Sequence, residues 1–204
     1  DLAAFLKLLN IAPVHLVGHS FGAYTALKTA MEHPELVKSL CLGEPPIMSL
    51  LPNTEEGNEL LFEFEKNTIL PSAQAFEKGM DVEAASIFLG GVMNDPNFFE
   101  SMPPEVQQQI KENIPEMKGI ICQKSIFEFS PFTICADLER VKTPTLLITS
   151  ENGPRFFKII TDELEKCLPN TERVVIPNSS HEMEMDNPQA FNEAVLRFID
   201  KHKN

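Results

Sequence analysis

A chain of 204 residues, 43% hydrophobic and 23% charged, is long enough to bury a real core and too apolar for a disordered segment. Its 17 Lys and Arg against 30 Asp and Glu give a formal net charge of −13, which opposes attraction to nucleic-acid phosphate or to an anionic bilayer surface. No uninterrupted apolar run approaches the ~20 residues that span a membrane.

From Asp1 to Asn10 the apolar residues Leu2, Phe5, Leu6 and Leu9 keep helical spacing until Pro13 stops them. Val14 to Gly18 is a short apolar run ending in glycine, as a buried strand is. Phe21 to Glu32 is an Ala-rich helix closed by His33-Pro34, and Leu36 to Leu42 is a second buried strand, ended by Gly43 and Pro45-Pro46. Strand, helix and strand in about thirty residues make a βαβ unit and a parallel sheet. From Ile47 to Cys135 the pattern changes to short helical stretches, 56–66, 73–78, 82–92 and 104–114, with no convincing strand. Thr145 to Ser150 and Glu172 to Ile176 read as the third and fourth strands, with a helix over Phe156 to Cys167 between them. Pro188 to His202 closes the chain as an amphipathic helix, with Phe191, Val195, Phe198 and Ile199 on one face. The expected fold class is α/β, a mostly parallel sheet interrupted by a helical insertion: core over 1–46, insertion over 47–135, core again over 136–204.

Cys41, Cys122, Cys135 and Cys167 form no C-x-x-C pair, so they read as scattered reduced thiols in a cytoplasmic protein, with neither a metal site nor a disulfide framework. Because the chain opens on Asp1, inside a helix, it reads as part of a longer protein. A targeting segment upstream would be out of sight.

Gly18-His19-Ser20-Phe21-Gly22 matches G-x-S-x-G. A bare match arises about 0.1 times by chance in such a chain, but here it lies between a strand and a helix, the setting of a nucleophile elbow. The turn exposes the serine hydroxyl, the flanking glycines keep side chains out of the way, and the helix N-terminus favours negative charge. Serine needs a base to attack at neutral pH. Of the five histidines, His15 lies within a strand, His19 at the variable position of the elbow, His33 at a helix end and His202 in the tail. His181 stands in the loop after the last strand, where α/β sheets place catalytic groups, and is the candidate base.

The chain resembles the later two-thirds of an α/β-hydrolase-fold enzyme. The resemblance rests on LVGHSFGA (16–23), TPTLLITSE (143–151) and SSHEMEMDNPQAFNEAVLRFI (179–199), where His181 is followed by Asp186, Pro188 and Phe191. It runs nearly from end to end of the chain and implies missing N-terminal strands, with β-strand 14–18 left at an open edge. It also implies that the 47–135 insertion is a cap over the active site. Among the cap's aromatics, Phe62, Phe64, Phe76, Phe88, Phe98, Phe99, Phe127, Phe129 and Phe132, most would fill its own core and some would face a pocket. The family's triad acid usually follows the strand LLITS in a pattern like G-x-x-D, but Gly153 stands where the aspartate is expected. Some relatives, haloalkane dehalogenases among them, carry the acid one strand earlier, where this chain has Glu44. Glu44 is therefore the candidate acid and Glu151 the reserve, a plain solvated turn being the alternative for Glu44. A serine elbow disfavours the dehalogenase chemistry, which starts from aspartate.

The expected activity is a serine-dependent hydrolase cleaving a small ester, lactone or related activated carbonyl through an acyl-enzyme on Ser20. The Phe21 backbone N–H would supply half of the oxyanion hole. A C–C bond hydrolase on the same triad, or a non-catalytic small-molecule-binding protein of this fold, remain the alternatives. The expected partner is a small-molecule substrate, with no nucleic acid, membrane, cofactor or metal. Oligomeric state stays open.

Overall fold

The computed structural model describes residues 1–123 and 133–203. The chain divides into two compact units, Asp1–Leu50 with Thr133–Asn204, and Leu51–Phe132.

The first unit is built on four strands, β1 (Val14–His19), β2 (Val37–Gly43), β3 (Thr145–Ser150) and β4 (Thr171–Ile176). They lie side by side in chain order and every pairing is parallel. Parallel neighbours need crossovers. Helix α2 (Phe21–Glu32) connects β1 to β2 and packs on both. Three of its buried residues, Ala23, Ala26 and Ala30, are alanines, beside Tyr24, Leu27 and Thr29. Helix α1 (Leu2–Leu9) precedes β1.

The second unit, Leu51–Phe132, sits inside the expected insertion limits of 47 and 135 and contains no strand among its described residues. Its helices are α3 (Glu55–Phe64), α4 (Leu70–Glu77), α5 (Asp81–Met93), α6 (Phe98–Ser101), α7 (Pro104–Glu112) and α8 (Ile114–Ile121), with a π-helical turn at Glu65–Ile69. Ala75, Phe76, Ala84, Ala85, Ile114 and Ile121 form its core. Phe76 and Phe99 are buried, whereas Phe62 is 64% exposed. Phe127, Phe129 and Phe132 lie outside the described residues. The helix expected over 104–114 is α7, which stops at Glu112, and a further helix, α8, restarts beyond Asn113 with Pro115 in its first turn, where a missing N–H costs nothing.

The chain returns to the first unit through α9 (Cys135–Leu138), then β3, α10 (Arg155–Cys167), β4, α11 (Met183–Asp186) and α12 (Pro188–Lys201). Phe191, Val195 and Phe198 of α12 cluster with Cys41 of β2, Leu146 and Ile148 of β3, Ile176 of β4 and Met183. Each large side chain so buried contributes roughly 1.5–3 kcal/mol. Strand β3 is buried along its whole length, as TLLITS suggests. Strand β1 is an edge, and Val17 in it is half exposed, as are Phe5, Leu9 and Ile11 around α1.

One expectation is overturned. Cys135 and Cys167 are joined in a disulfide that ties the start of α9 to the end of α10, so the four cysteines are not all reduced. Cys41 and Cys122 are free, and burial pushes the Cys41 thiol up to about 12. No described helix is long and apolar enough to cross a membrane.

Candidate active site

Parallel pairing sends the carboxyl ends of all four strands to one edge of the sheet. His19, Gly43 and Ile148 are aligned across β1, β2 and β3, and Ile148 with Val174 of β4. The residues just beyond that row are the chemically interesting ones.

Ser20 follows β1 with φ 51° and ψ −123°. A positive φ in a non-glycine residue is strained and persists only where the surroundings enforce it. Here its N–H donates to the Gly43 carbonyl at 2.7 Å, and its carbonyl accepts from Ala23 and Tyr24 at the start of α2. Gly18 is required by space: a Cβ there would stand 2.5 Å from the Gly22 carbonyl group. Gly22 is not, since a Cβ at that position meets nothing within 4 Å. Of the two glycines expected to relieve the elbow, only the first does so.

Glu44 follows β2 and also carries a positive φ, 44°. It is 1% exposed, and its Oε2 lies 2.7 Å from Nδ1 of His181, itself 2% exposed in the loop after β4. The structure therefore brings together Glu44 and His181. The other carboxylate oxygen, Oε1, accepts from the Ser150 N–H at 2.8 Å and from the Ser150 hydroxyl at 2.5 Å. Glu151 is engaged elsewhere: its Oε2 accepts from the Asn178 N–H at 2.7 Å. Ser20 lies at the end of β1 with its N–H on the Gly43 carbonyl just before Glu44, but among the described residues no hydrogen bond joins its hydroxyl to His181. In unliganded sites such a bond commonly tightens only when substrate binds.

Gly153 fits this arrangement. A Cβ there would come within 1.9 Å of the Ser150 hydroxyl and 3.3 Å of Glu44 Oε1. The Glu44 carboxylate and its serine partner thus fill the space that a side chain at 153 would enter.

The His181 loop is held from several directions. Phe157 of α10 stacks on the imidazole, 4.0 Å between ring centroids and 4° from parallel. Asp186 Oδ2 accepts from both the N–H and the hydroxyl of Ser180 at 2.6 Å, giving the acid five residues beyond the histidine a role in fixing the turn. His19 Nε2 donates to the His181 carbonyl at 2.8 Å, and its ring lies 4.5 Å from the His181 ring. Its Nδ1 is 3.0 Å from Glu184 Oε1. Burial opposes charge on His19, but Glu184, then Glu182 and the His181 carbonyl, outweigh it and raise its pKa above the ordinary 6.5. Glu184 in turn sits below its ordinary range, because the attraction of His19 exceeds the cost of its burial. His19, Ser150, Phe157 and Glu184 escape a reading of the sequence, since each acts through a neighbour distant along the chain. The remaining histidines lie apart: His15 bonds Ser39, His33 pairs with Glu35, and His202 packs on Phe198.

A sequence model of the family described as alpha/beta hydrolase fold matches residues 1–188. A putative carbamate hydrolase, RutD, of Pantoea ananatis is 25% identical over 98% of this chain and 69% of its own length. A putative esterase/lipase of Haemophilus influenzae is 28% identical over 99% of this chain and 66% of its own length. The crystal structure of carboxylesterase CesB from Bacillus subtilis superposes with a TM-score of 0.68 at 16% identity, over 97% of this chain and 64% of that one. The chain spans about two thirds of the length of these proteins.

Proposed function

The chain belongs to the alpha/beta hydrolase fold family, and from that premise we propose that it is a serine hydrolase acting on a small organic ester, lactone or related activated carbonyl. The observation that carries the proposal is the buried Glu44–His181 contact of 2.7 Å beside a serine held at φ 51°. The names of its relatives, an esterase/lipase and a carbamate hydrolase, support attack on an acyl carbon.

In this reading His181 Nε2 takes the proton as Ser20 Oγ attacks the carbonyl, and Glu44 on Nδ1 fixes the tautomer and stabilises the imidazolium. The Phe21 backbone N–H, at the start of α2, donates to the developing oxyanion, where the helix N-terminus adds favourable field. Collapse of the tetrahedral intermediate expels the leaving group with the proton from His181 and leaves an acyl-serine. Water, deprotonated by the same histidine, then releases the acid and restores Ser20. The base works as the neutral imidazole. A non-catalytic reading would draw on Gly153 at the usual acid position. The Glu44 carboxylate beside it, bonded to His181, supports the catalytic one instead.

A fluorophosphonate probe tests the proposal. Labelling is expected at Ser20 and is expected to vanish in His181→Ala. Labelling that survives in His181→Ala, or that never reaches Ser20, would remove the reading.

A further inference from the structure

Both ring nitrogens of His19 face acceptors. Nε2 points at a backbone carbonyl, which has no proton to give, and Nδ1 at a carboxylate oxygen. A neutral imidazole carries one N–H and can satisfy only one of them; the imidazolium carries two and satisfies both. The carboxylate makes the same demand. Glu184 Oε2 is buried without a hydrogen-bond partner, so the charge on this half-buried group has no compensation equal to a full cation at His19. Among the described residues, the charged or titratable groups facing His19 are Glu184 and Glu182, from α11 and the residue before it, and the His181 ring.

We propose that His19 is a positioning residue that works as an imidazolium, clamping the main chain of His181 to the residue before Ser20 and so setting the distance between nucleophile and base. The proposal rests on the reading of His181 as the base. His19 touches no reacting atom. Its Nε2–H holds the carbonyl of the base residue, its Nδ1–H holds Glu184 two residues further along the chain from Glu182, and its own backbone leads directly into the elbow. Loss of the proton from His19 breaks one of the two contacts and loosens the loop. Activity is therefore bounded on the alkaline side by deprotonation of His19.

The test reads His19 directly as well as through rate. In the intact protein carrying Ser20→Ala and labelled with nitrogen-15 in its histidines, NMR at pH 6.5 is expected to show His19 protonated on both nitrogens, where an ordinary histidine is about half protonated. Glu184→Gln should shift that titration to lower pH and move the alkaline limb of kcat/KM with it. His19→Asn should lower kcat by up to ~100-fold, the scale of a small misplacement of reacting groups, with KM little changed and the alkaline limb gone. If His19→Asn fails to fold, Glu184→Gln alone decides. A singly protonated His19 at pH 6.5, or an alkaline limb unmoved by Glu184→Gln, overturns the proposal. If no ester is turned over at all, the assignment of function fails while the NMR result still decides the state of His19.

Discussion

Two histidine–carboxylate pairs stand at the carboxyl edge of the sheet with their imidazoles 4.5 Å apart, and they are built differently. In His181–Glu44 the side chains are 3% and 0% exposed, and the second carboxylate oxygen is satisfied by the N–H and hydroxyl of Ser150. In His19–Glu184 the side chains are 20% and 31% exposed, and the second carboxylate oxygen has no hydrogen-bond partner. A pair removed from water must be enclosed by hydrogen bonds, or its desolvation outweighs its attraction. A pair left half in water can rely on charge alone. The first arrangement suits a group that must change protonation state during a reaction. The second suits one that must not.

The largest break in this comparison is removal of the buried pair's purpose. Ser20→Ala and His181→Ala should each lower ester turnover by as much as ~10⁶-fold, and either change should abolish most of what the other does; kcat measured for the singles and the double checks this. Glu44→Gln should follow at up to ~10⁴-fold, since the amide can hold the wrong imidazole tautomer. Glu151→Gln, whose carboxylate serves the Asn178 N–H, should change the rate far less, and the reverse ranking would relocate the acid. Ser150→Ala removes one of two donors to Glu44 Oε1 and should cost up to ~100-fold in kcat with KM near its parent value; Ser150→Thr, which keeps the hydroxyl, should recover part of it.

The smallest effect is on stability and belongs to the exposed pair. His19, raised above 6.5, contributes stability that is complete below that pH and is lost as pH rises through its titration in the folded protein. Glu184, lowered below 4.5, contributes stability that is complete above that pH and is lost as pH falls through its own. The difference in melting temperature between parent and Glu184→Gln should thus be greatest between pH 4.5 and 6.5 and shrink toward either side. Its size should be a few degrees, the reach of about 1 kcal/mol in a chain this long.

Three of the four strands were legible as short apolar runs stopped by glycine, proline or a polar turn, and Thr171–Ile176 by the Val-Val-Ile that ends it. Val14–His19 ends in the elbow and Val37–Gly43 in Glu44-Pro45-Pro46. The helices Phe98–Ser101 and Met183–Asp186 were not, since a single turn is too short to show a period. Ser20 and His181 could be picked out by local punctuation and chain order. Glu44 needed the resemblance to relatives that carry the acid one strand earlier, and the structure sets it 2.7 Å from His181. Ser150 and Gly153 could not be found in the same way: their meaning depends on β3 lying beside β2, with Glu44 reaching 106 residues across to Ser150. His19 was passed over because the position inside the elbow is free in sequence terms, and only its contact with residue 181 makes it matter. The Cys135–Cys167 bridge escaped for a related reason. A separation of 32 residues carries no information about a Cα distance of 5.1 Å.

The hydrogen bond from the Ser20 N–H to the Gly43 carbonyl has a consequence for how this protein can change. It sews the end of one strand to the end of the next, at Ser20 itself on one side and one residue before Glu44 on the other. Inserting or deleting a single residue in β1 would turn Ser20, and in β2 would turn Glu44, to the opposite face of the sheet and pull this stitch out of register. Substitutions can accumulate along these two strands while their lengths cannot drift independently. Length variation is confined to what lies between and beyond them: the helix α2 crossover and the helical unit Leu51–Phe132, which can grow or shrink without disturbing where Ser20 and Glu44 emerge.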